Sequence, residues 1–143
     1  MNLRTFEEYI NVGMIKRITP NKARALSLVA ESQKKKQFME LVLSKIEAKQ
    51  VNQNFIIDSC YDIIIELIRA KMIMEGFSSE KSHEAEISYM KKLKFQEKDI
   101  AFMNELRYYR NGIKYYGKIM GEEYANKVLE FMKENYNQIK QQF

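Results

Sequence analysis

Cysteine, histidine, proline and glycine are scarce in this chain of 143 residues, and each scarcity excludes a class of protein. The single cysteine, Cys60, cannot form an internal disulfide or a cysteine-rich zinc site. The single histidine, His83, excludes a metal centre with two histidine ligands from one chain. One proline and five glycines argue against a loop-rich β-sandwich or a collagen-like chain. We therefore expect neither a cofactor nor a metal site.

Long apolar runs are also missing. No stretch of about 18 uncharged apolar residues occurs, so no membrane-spanning helix is expected. Glu7 and Glu8 stand where a signal peptide would need an apolar core. These absences predict a soluble, cytoplasmic protein.

Apolar and charged residues are both plentiful. The chain is 45% hydrophobic and 30% charged, which excludes a disordered chain and fits a single domain spanning residues 1–143. Lysine and arginine number 24 against 19 acidic residues, which gives a net charge of +5. This modest excess permits binding to a phosphate backbone but does not require it.

Helical patterns dominate and predict an all-α antiparallel bundle of five to six helices. Thr5 and Glu8 form a capping box that predicts a first helix ending near Ile15. Thr19 and Pro20 predict the cap and first position of a second helix, which extends to about residue 49 with an apolar stripe. The apolar stripe of the second helix comprises Leu26, Val29, Ala30, Phe38, Leu41, Val42 and Ile46. Further helices are expected at about 53–75, 83–93 and 96–116, and a last one after Gly121 to about residue 141.

The third helix combines a wide apolar arc with an acidic strip. An arc that wide is typical of a helix at the centre of a bundle or in the seam of an oligomer. Asp58, Asp62 and Glu66 are spaced by four, so their like charges share one face, which Arg69 neutralises in part. We hypothesise that Asp62 or Glu66 orients Arg110 across the bundle. The alternative is a strip of solvated or intersubunit salt bridges.

The segment from Glu105 to Gly117 is the most informative part of the chain. Arg107, Arg110 and Lys114 share one flank of the predicted helix, beside an asparagine and a glycine that are poor helix formers. Arginine and lysine with an amide suit phosphate oxygens, and the neighbouring tyrosines suit stacking on bases. The alternative is that the cations pair with acids and the tyrosines pack in the core and at its rim. The predicted buried stripe comprises Phe102, Leu106, Tyr109, Ile113 and Tyr116, with Arg110 at its edge.

This segment resembles the C-terminal signature of HEPN domains (higher eukaryotes and prokaryotes nucleotide-binding). These are small helical bundles, often dimeric, whose active members carry an arginine followed four to six residues later by a histidine. Arg110 and Asn111 match the start of that signature. The other similar pieces are Ala25 to Lys36, Tyr61 to Leu67 with Glu75-Gly76-Phe77, and Ser82-His83-Glu84, so that the resemblance covers about Arg24 to Tyr136.

The resemblance implies binding of RNA or of a nucleotide, and the wide apolar arc of the third helix together with the tyrosine-rich segment predicts a homodimer. Active members are metal-independent ribonucleases, in which the arginine stabilises developing negative charge and the histidine assists proton transfer. Many act as the toxin of a toxin–antitoxin pair with a small nucleotidyltransferase. From their chemistry, the candidates for phosphate or RNA binding are Arg107, Arg110, Asn111 and Lys114. The resemblance makes Arg110 and Tyr115 the candidates for catalysis, and Asp62 is added as the acid hypothesised to orient Arg110.

The sequence departs from the HEPN signature at one position. Tyr115 lies five residues after Arg110, where active members have histidine. A phenol is a poor base at neutral pH, but it can donate a hydrogen bond or stack on a base. His83 is expected to close the turn after Gly76 and not to act in catalysis. A non-catalytic dimeric interaction module and an active ribonuclease therefore remain as alternatives.

Two other features are interpreted as structural. Lys34, Lys35 and Lys36 could follow a nucleic-acid backbone, but a run of charge on a helix more often forms a solvated face. Cys60 lies on the apolar arc and is interpreted as a small core residue.

Overall fold

Six α-helices and one pair of two-residue strands form the computed structural model, which describes residues 2–143. The predicted all-α bundle is confirmed. Single 3-10 turns cover Ala48–Gln50 and Tyr89–Lys91. The elements are α1 (Phe6–Asn11), β1 (Lys16–Arg17), α2 (Lys22–Lys45), α3 (Gln53–Met74), β2 (Phe77–Ser78), α4 (His83–Ser88), α5 (Glu97–Tyr116) and α6 (Glu122–Lys140).

Helix α3 is the centre of the bundle. It packs against α2, α5 and α6, and residues over most of its circumference, such as Ile57, Leu67 and Ala70, are fully buried. Its first turn is capped by Asn52, whose side-chain oxygen accepts a hydrogen bond from the N–H of Phe55 at 3.1 Å. Of the two interpretations of the apolar arc, the central helix is confirmed. Because the chain itself covers the arc, the arc is not available as an oligomer seam.

The first helix begins as predicted but ends early. Thr5 accepts a hydrogen bond from the N–H of Glu8 at 3.1 Å, which confirms the cap. The predicted end at Ile15 is wrong, since α1 stops at Asn11. Gly13 follows with a φ of +80°, and this left-handed turn redirects the chain.

A small antiparallel pairing that the sequence did not indicate joins β1 to β2. Lys16 pairs with Ser78 and Arg17 with Phe77, and the N–H of Ile18 donates to the carbonyl of Gly76 at 2.9 Å. This ladder fixes the N-terminal segment against the end of α3.

The predicted start and end of α2 are wrong. The cap is Asn21 instead of Thr19, and its side-chain oxygen accepts from the N–H of Arg24 at 3.0 Å. Pro20 lies before the helix, because the preceding residues continue the extended β1 segment. The helix ends at Lys45, since Ile46 adopts an extended conformation.

The apolar stripe predicted for α2 is largely wrong as well. Leu26, Phe38 and Leu41 are exposed, whereas Val29 is buried as expected. The buried face carries small side chains, and the hydroxyl of Ser32 donates to a backbone carbonyl of α3 at 2.7 Å. Small residues at Ala25 and Ser32 let the two helices approach closely there, and Leu26, Phe38 and Leu41 are left outside. The remaining buried residues of this face are Ala25 and Met39.

The lysine run of α2 is not a uniform solvated face. Lys34 is exposed, but Lys35 binds Glu66 of α3, and Lys36 binds Glu40 at 2.9 Å within α2. One lysine of the three therefore joins α2 to α3.

The second half of the chain follows the predictions closely. Helix α5 spans the predicted residues to within one, and Gly117 ends it with a φ of +65°. Helix α6 also agrees to within one residue at each end. Helix α4 is shorter than predicted, because the chain tightens into the 3-10 turn after Ser88.

The structure also bears on two further predictions, the burial of Cys60 and the absence of a membrane-spanning helix. Cys60 is fully buried in the core, and burial raises the pKa of its thiol to about 12. Across residues 2–143, none of the helices combines the length and the apolar character that crossing a membrane requires.

Two glycines with positive φ allow a test of this packing. Replacement of Gly76 by alanine would place a Cβ 3.0 Å from the carbonyl oxygen of Ile18, whereas a Cβ at Gly117 would meet open space. We expect Gly76→Ala to lower the free energy of unfolding by about 2–4 kcal/mol, from left-handed strain plus overpacking. Gly117→Ala, the matched control, should cost only about 1–2 kcal/mol. Urea denaturation measures both, and equal losses would show that the β1–β2 contact is not tight.

Candidate functional site

An open cleft of about 590 Å³ lies between α5 and the turn that leads into α4. We call it the first cleft. Helix α5 contributes four of the side chains that the sequence analysis predicted for the site. These are Arg107, Arg110, Asn111 and Tyr115; the opposite wall comprises Ser79, Glu80, Lys81, Ser82, His83 and Glu84, with Gly13 and Met14 at one end.

Arg110 lies deep in this cleft, with only 7% of its surface exposed. Its Nε donates to Asp58 at 3.0 Å, and its Nη2 donates to Asp62 at 3.5 Å. The guanidinium also stacks over the ring of Tyr61, 5.2 Å from the centroid. The helical wheel predicted Arg110 at the edge of the buried stripe, and in the structure its side chain is buried because the acids of α3 draw it inward.

The acidic strip of α3 divides between two partners. Asp62 contacts Arg110 as hypothesised, but the shorter contact belongs to Asp58. Glu66 binds Lys35 of α2 and does not reach Arg110, and Arg69 binds Glu86 of α4 instead of the strip. Burial raises the pKa of Asp62, the nearby Asp58 raises it further, and Arg110 opposes the rise.

Arg107 is also held by neighbours. Its Nε donates to Asn104 at 3.1 Å, and its Nη1 lies 3.5 Å from Glu84, a carboxylate that also accepts from the hydroxyl of Tyr9 at 3.2 Å. Lys114, the third cation of the predicted flank, is exposed and does not line the first cleft. Two of the three predicted cations therefore meet in the first cleft.

The last turn of α5 projects from the bundle. Tyr115 lines the first cleft yet is 70% exposed, and Tyr116 is 85% exposed, so the predicted burial of Tyr116 is wrong. Ile119 beyond the helix is 87% exposed. Tyr109, nearly two turns before Tyr116 in α5, packs edge-on against Tyr124 of α6 with the ring centroids 5.0 Å apart. The bundle ends between these positions, so the final aromatic residues face outward.

His83 is the residue whose position the sequence did not reveal. It begins α4 as predicted, but it also lines the first cleft. Its Nδ1 lies 2.8 Å from the hydroxyl of Tyr61, and the two rings stack with centroids 5.6 Å apart. Burial lowers the pKa of His83, and Arg110 and Arg69 add to this effect against the opposing charge of Glu86.

The contact between Tyr61 and His83 is compatible with two forms of that imidazole. Burial raises the pKa of Tyr61, so its hydroxyl keeps its proton and can either donate to Nδ1 of His83 or accept from it. The first cleft combines two guanidinium groups and the amide of Asn111, which are donors that suit phosphate oxygens, with this imidazole.

The first cleft does not resemble a metal centre. Across residues 2–143, no three histidine, cysteine or acidic side chains are grouped so that they could hold a metal ion. Comparisons of the chain with protein-family models, with curated proteins and with solved structures gave no match. The similarity to HEPN domains therefore stays a prediction from the sequence.

The single histidine makes its protonation directly measurable. We expect the imidazole of His83 to titrate below its ordinary pKa of 6.5 in the folded protein, chiefly because it is buried. Stability that depends on neutral His83 is then complete above pH 6.5 and is lost as the pH falls through the folded-state pKa. An NMR titration of the one imidazole Cε1–H signal measures this pKa.

A Tyr61→Phe variant is the control for that titration. It removes the hydrogen bond to Nδ1 but keeps a ring beside the imidazole, so the pKa should stay below 6.5 if burial is the main cause. A pKa at or above 6.5 in the unaltered protein would contradict the packing of His83 described above.

Proposed function

We propose that this chain is a HEPN-like protein that binds a phosphate of RNA or of a nucleotide in the first cleft. One observation carries the proposal. His83 and the α5 residues Arg107, Arg110 and Asn111, which are distant in sequence, line one open cleft. These side chains border a space of about 590 Å³, which is large enough for a phosphate with its attached sugar.

The two arginines would contribute in different ways. Arg110 is fixed by Asp58 and Asp62, so little side-chain entropy is lost when it binds an oxyanion. Arg107 has a weaker restraint, a 3.5 Å contact with a partly exposed Glu84, which an incoming phosphate can replace. The charge of Glu84 opposes an anion while it stays in place, so we expect moderate affinity.

The exposed aromatic residue at the rim favours a nucleic acid over a simple anion. Tyr115 lines the first cleft with most of its ring in solvent, where it can stack on a base beside the bound phosphate. The proposal gives Tyr115 a stacking role and no part in proton transfer. Ribonuclease activity and a nucleotidyltransferase partner rest on the sequence resemblance, a cytoplasmic setting rests on the composition of the sequence, and all three stay predictions.

Salt dependence of RNA binding tests the proposal. A labelled single-stranded RNA of about ten nucleotides is titrated at several salt concentrations, with fluorescence anisotropy as the readout. We expect affinity to fall as salt rises, and Arg107→Gln to weaken binding and reduce the slope by roughly 0.7, which corresponds to one phosphate contact. Lys98→Gln is the matched control, since this exposed lysine of α5 lies roughly 18 Å from Arg110 along the helix.

The same assay tests whether Asp62 orients Arg110. Asp62→Asn keeps the size of the side chain and removes its charge, so binding should weaken if the carboxylate holds the guanidinium in position. Tighter binding would instead mean that Asp62 acts only as a repelling charge. Salt-independent or undetectable binding by the unaltered protein would overturn the phosphate-binding proposal.

A second candidate function, a dimeric interaction module, is favoured by the exposed end of α5. Tyr116 and Ile119 are 85% and 87% exposed and lie close together in the chain. Apolar side chains grouped in this way are typical of protein–protein contacts. This candidate needs no ligand in the first cleft.

Measurement of the oligomeric state tests the dimeric interaction module. If the end of α5 forms a dimer contact, light scattering should give twice the chain mass of 17.1 kDa, and Ile119→Ser should shift the protein toward the monomer. Leu41→Ser, which removes an exposed leucine from the outer face of α2, is the control and should leave the mass unchanged. A monomer at all concentrations would contradict the dimer.

A further inference from the structure

A second cleft of about 490 Å³ adjoins the first. The two share one wall, the segment between β2 and the start of α4. Ser79, Glu80, Lys81 and His83 line both clefts. The residues that line only the second cleft are Arg24, Arg69, Met72, Ile73, Phe77 and Ser78.

Cations predominate in the second cleft. Arg24 from the first turn of α2, Arg69 from α3 and Lys81 from the shared wall all line it, whereas Glu80 is the one carboxylate in the lining. Glu80 also lies 3.8 Å from Lys16 of β1, which offsets part of its charge. The second cleft is therefore a positively charged space.

Arg69 is oriented in the same way as Arg110. Its Nε and Nη2 donate to the two carboxylate oxygens of Glu86 at 2.5 and 3.1 Å, and Glu86 is fully buried. The hydroxyl of Ser79 donates to the same carboxylate at 3.0 Å. About 29% of the Arg69 side chain remains exposed, so a fixed guanidinium borders the cleft without being sealed inside it.

The shared wall is a tight turn. The N–H of Ser82 donates to the carbonyl of Ser79 at 2.8 Å, and the two residues between them, Glu80 and Lys81, have φ angles of +49° and +70°. Two successive positive φ values are typical of a type I′ turn, where Asn and Gly are the usual residues. The turn is only two residues wide. A nucleic-acid strand bound in one cleft would therefore reach the other cleft by passing over a short segment of protein.

The floor of the second cleft differs from its rim. Met72, Ile73 and Phe77 are apolar, and the first two are nearly fully buried. An apolar floor beneath a cationic rim suits a sugar or base that is attached to a phosphate better than it suits a small inorganic anion.

We propose that the second cleft binds a second phosphate of the same RNA strand, so that the ligand is single-stranded RNA and not a mononucleotide. This inference rests on the proposed function of the first cleft and names its substrate class. Lys81 and His83 line both clefts, which places the two phosphate positions side by side across one turn. A strand that fills both clefts gains affinity because its second contact is intramolecular.

The dependence of affinity on strand length tests this inference. Binding of the dinucleotide UpU, which has one phosphodiester, is compared with binding of pentauridylate in the unaltered protein, in Arg24→Gln and in Lys98→Gln. We expect a gain of about tenfold or more from the dinucleotide to the pentanucleotide in the unaltered protein and in the Lys98→Gln control. Arg24→Gln should lose most of that gain and reduce the salt slope for the longer strand by roughly 0.7.

Arg24 is exposed, so the Gln substitution should leave the fold intact, which circular dichroism verifies. Lys81 lines both clefts, so Lys81→Gln should weaken the dinucleotide as well as the pentanucleotide, since Gln and Lys are similarly strained at a positive φ. An equal length gain in Arg24→Gln and the control would overturn the second phosphate site and leave the first cleft unaffected. Failure of Arg107→Gln to weaken either ligand would instead count against the proposed function itself.

Discussion

The contact between Arg110 and the two aspartates of α3 is the interaction on which the first cleft depends. It joins α5 to the central helix and places a guanidinium at the base of an open space. Neither aspartate is fully buried, since about a third of each side chain remains exposed. Loss of the arginine would leave the like charges of the two aspartates close together without a cation between them. We therefore expect the three residues to act as a unit.

The same construction occurs twice around the Ser79–His83 wall. In each cleft an arginine is held by carboxylates of neighbouring helices, and the exposed Lys81 lines both clefts. Fixed guanidinium groups lose little freedom on binding, whereas an exposed lysine attracts anions from a distance. The charge of each cleft is modest because the holding carboxylates offset their arginines. Geometry, more than net charge, is therefore what would select a phosphate.

The sequence predicted those features that depend on local chemistry. Gly117 marks the end of α5 because a left-handed residue stops a helix, and the Thr5 cap was evident from its spacing to Glu8. Burial of Arg110 was not predictable from a helical wheel, because it results from acids on another helix. The position of His83 likewise depends on a hydrogen bond to Tyr61, 22 residues away. The stripe of α2 was misassigned because that helix packs through small residues, which periodicity of large apolar side chains does not indicate.

The short β1–β2 ladder makes the N-terminal segment part of the first cleft. Gly13 and Met14 line one end of it, and the hydroxyl of Tyr9 contacts the carboxylate that restrains Arg107. The segment therefore braces the binding residues and at the same time supplies Phe6 and Ile15, together with the ring of Tyr9, to the hydrophobic core. A change near this end would disturb the alignment of Glu84 and Arg107 together with the packing of the core. The shape of the binding surface and the stability of the fold are therefore coupled through this segment.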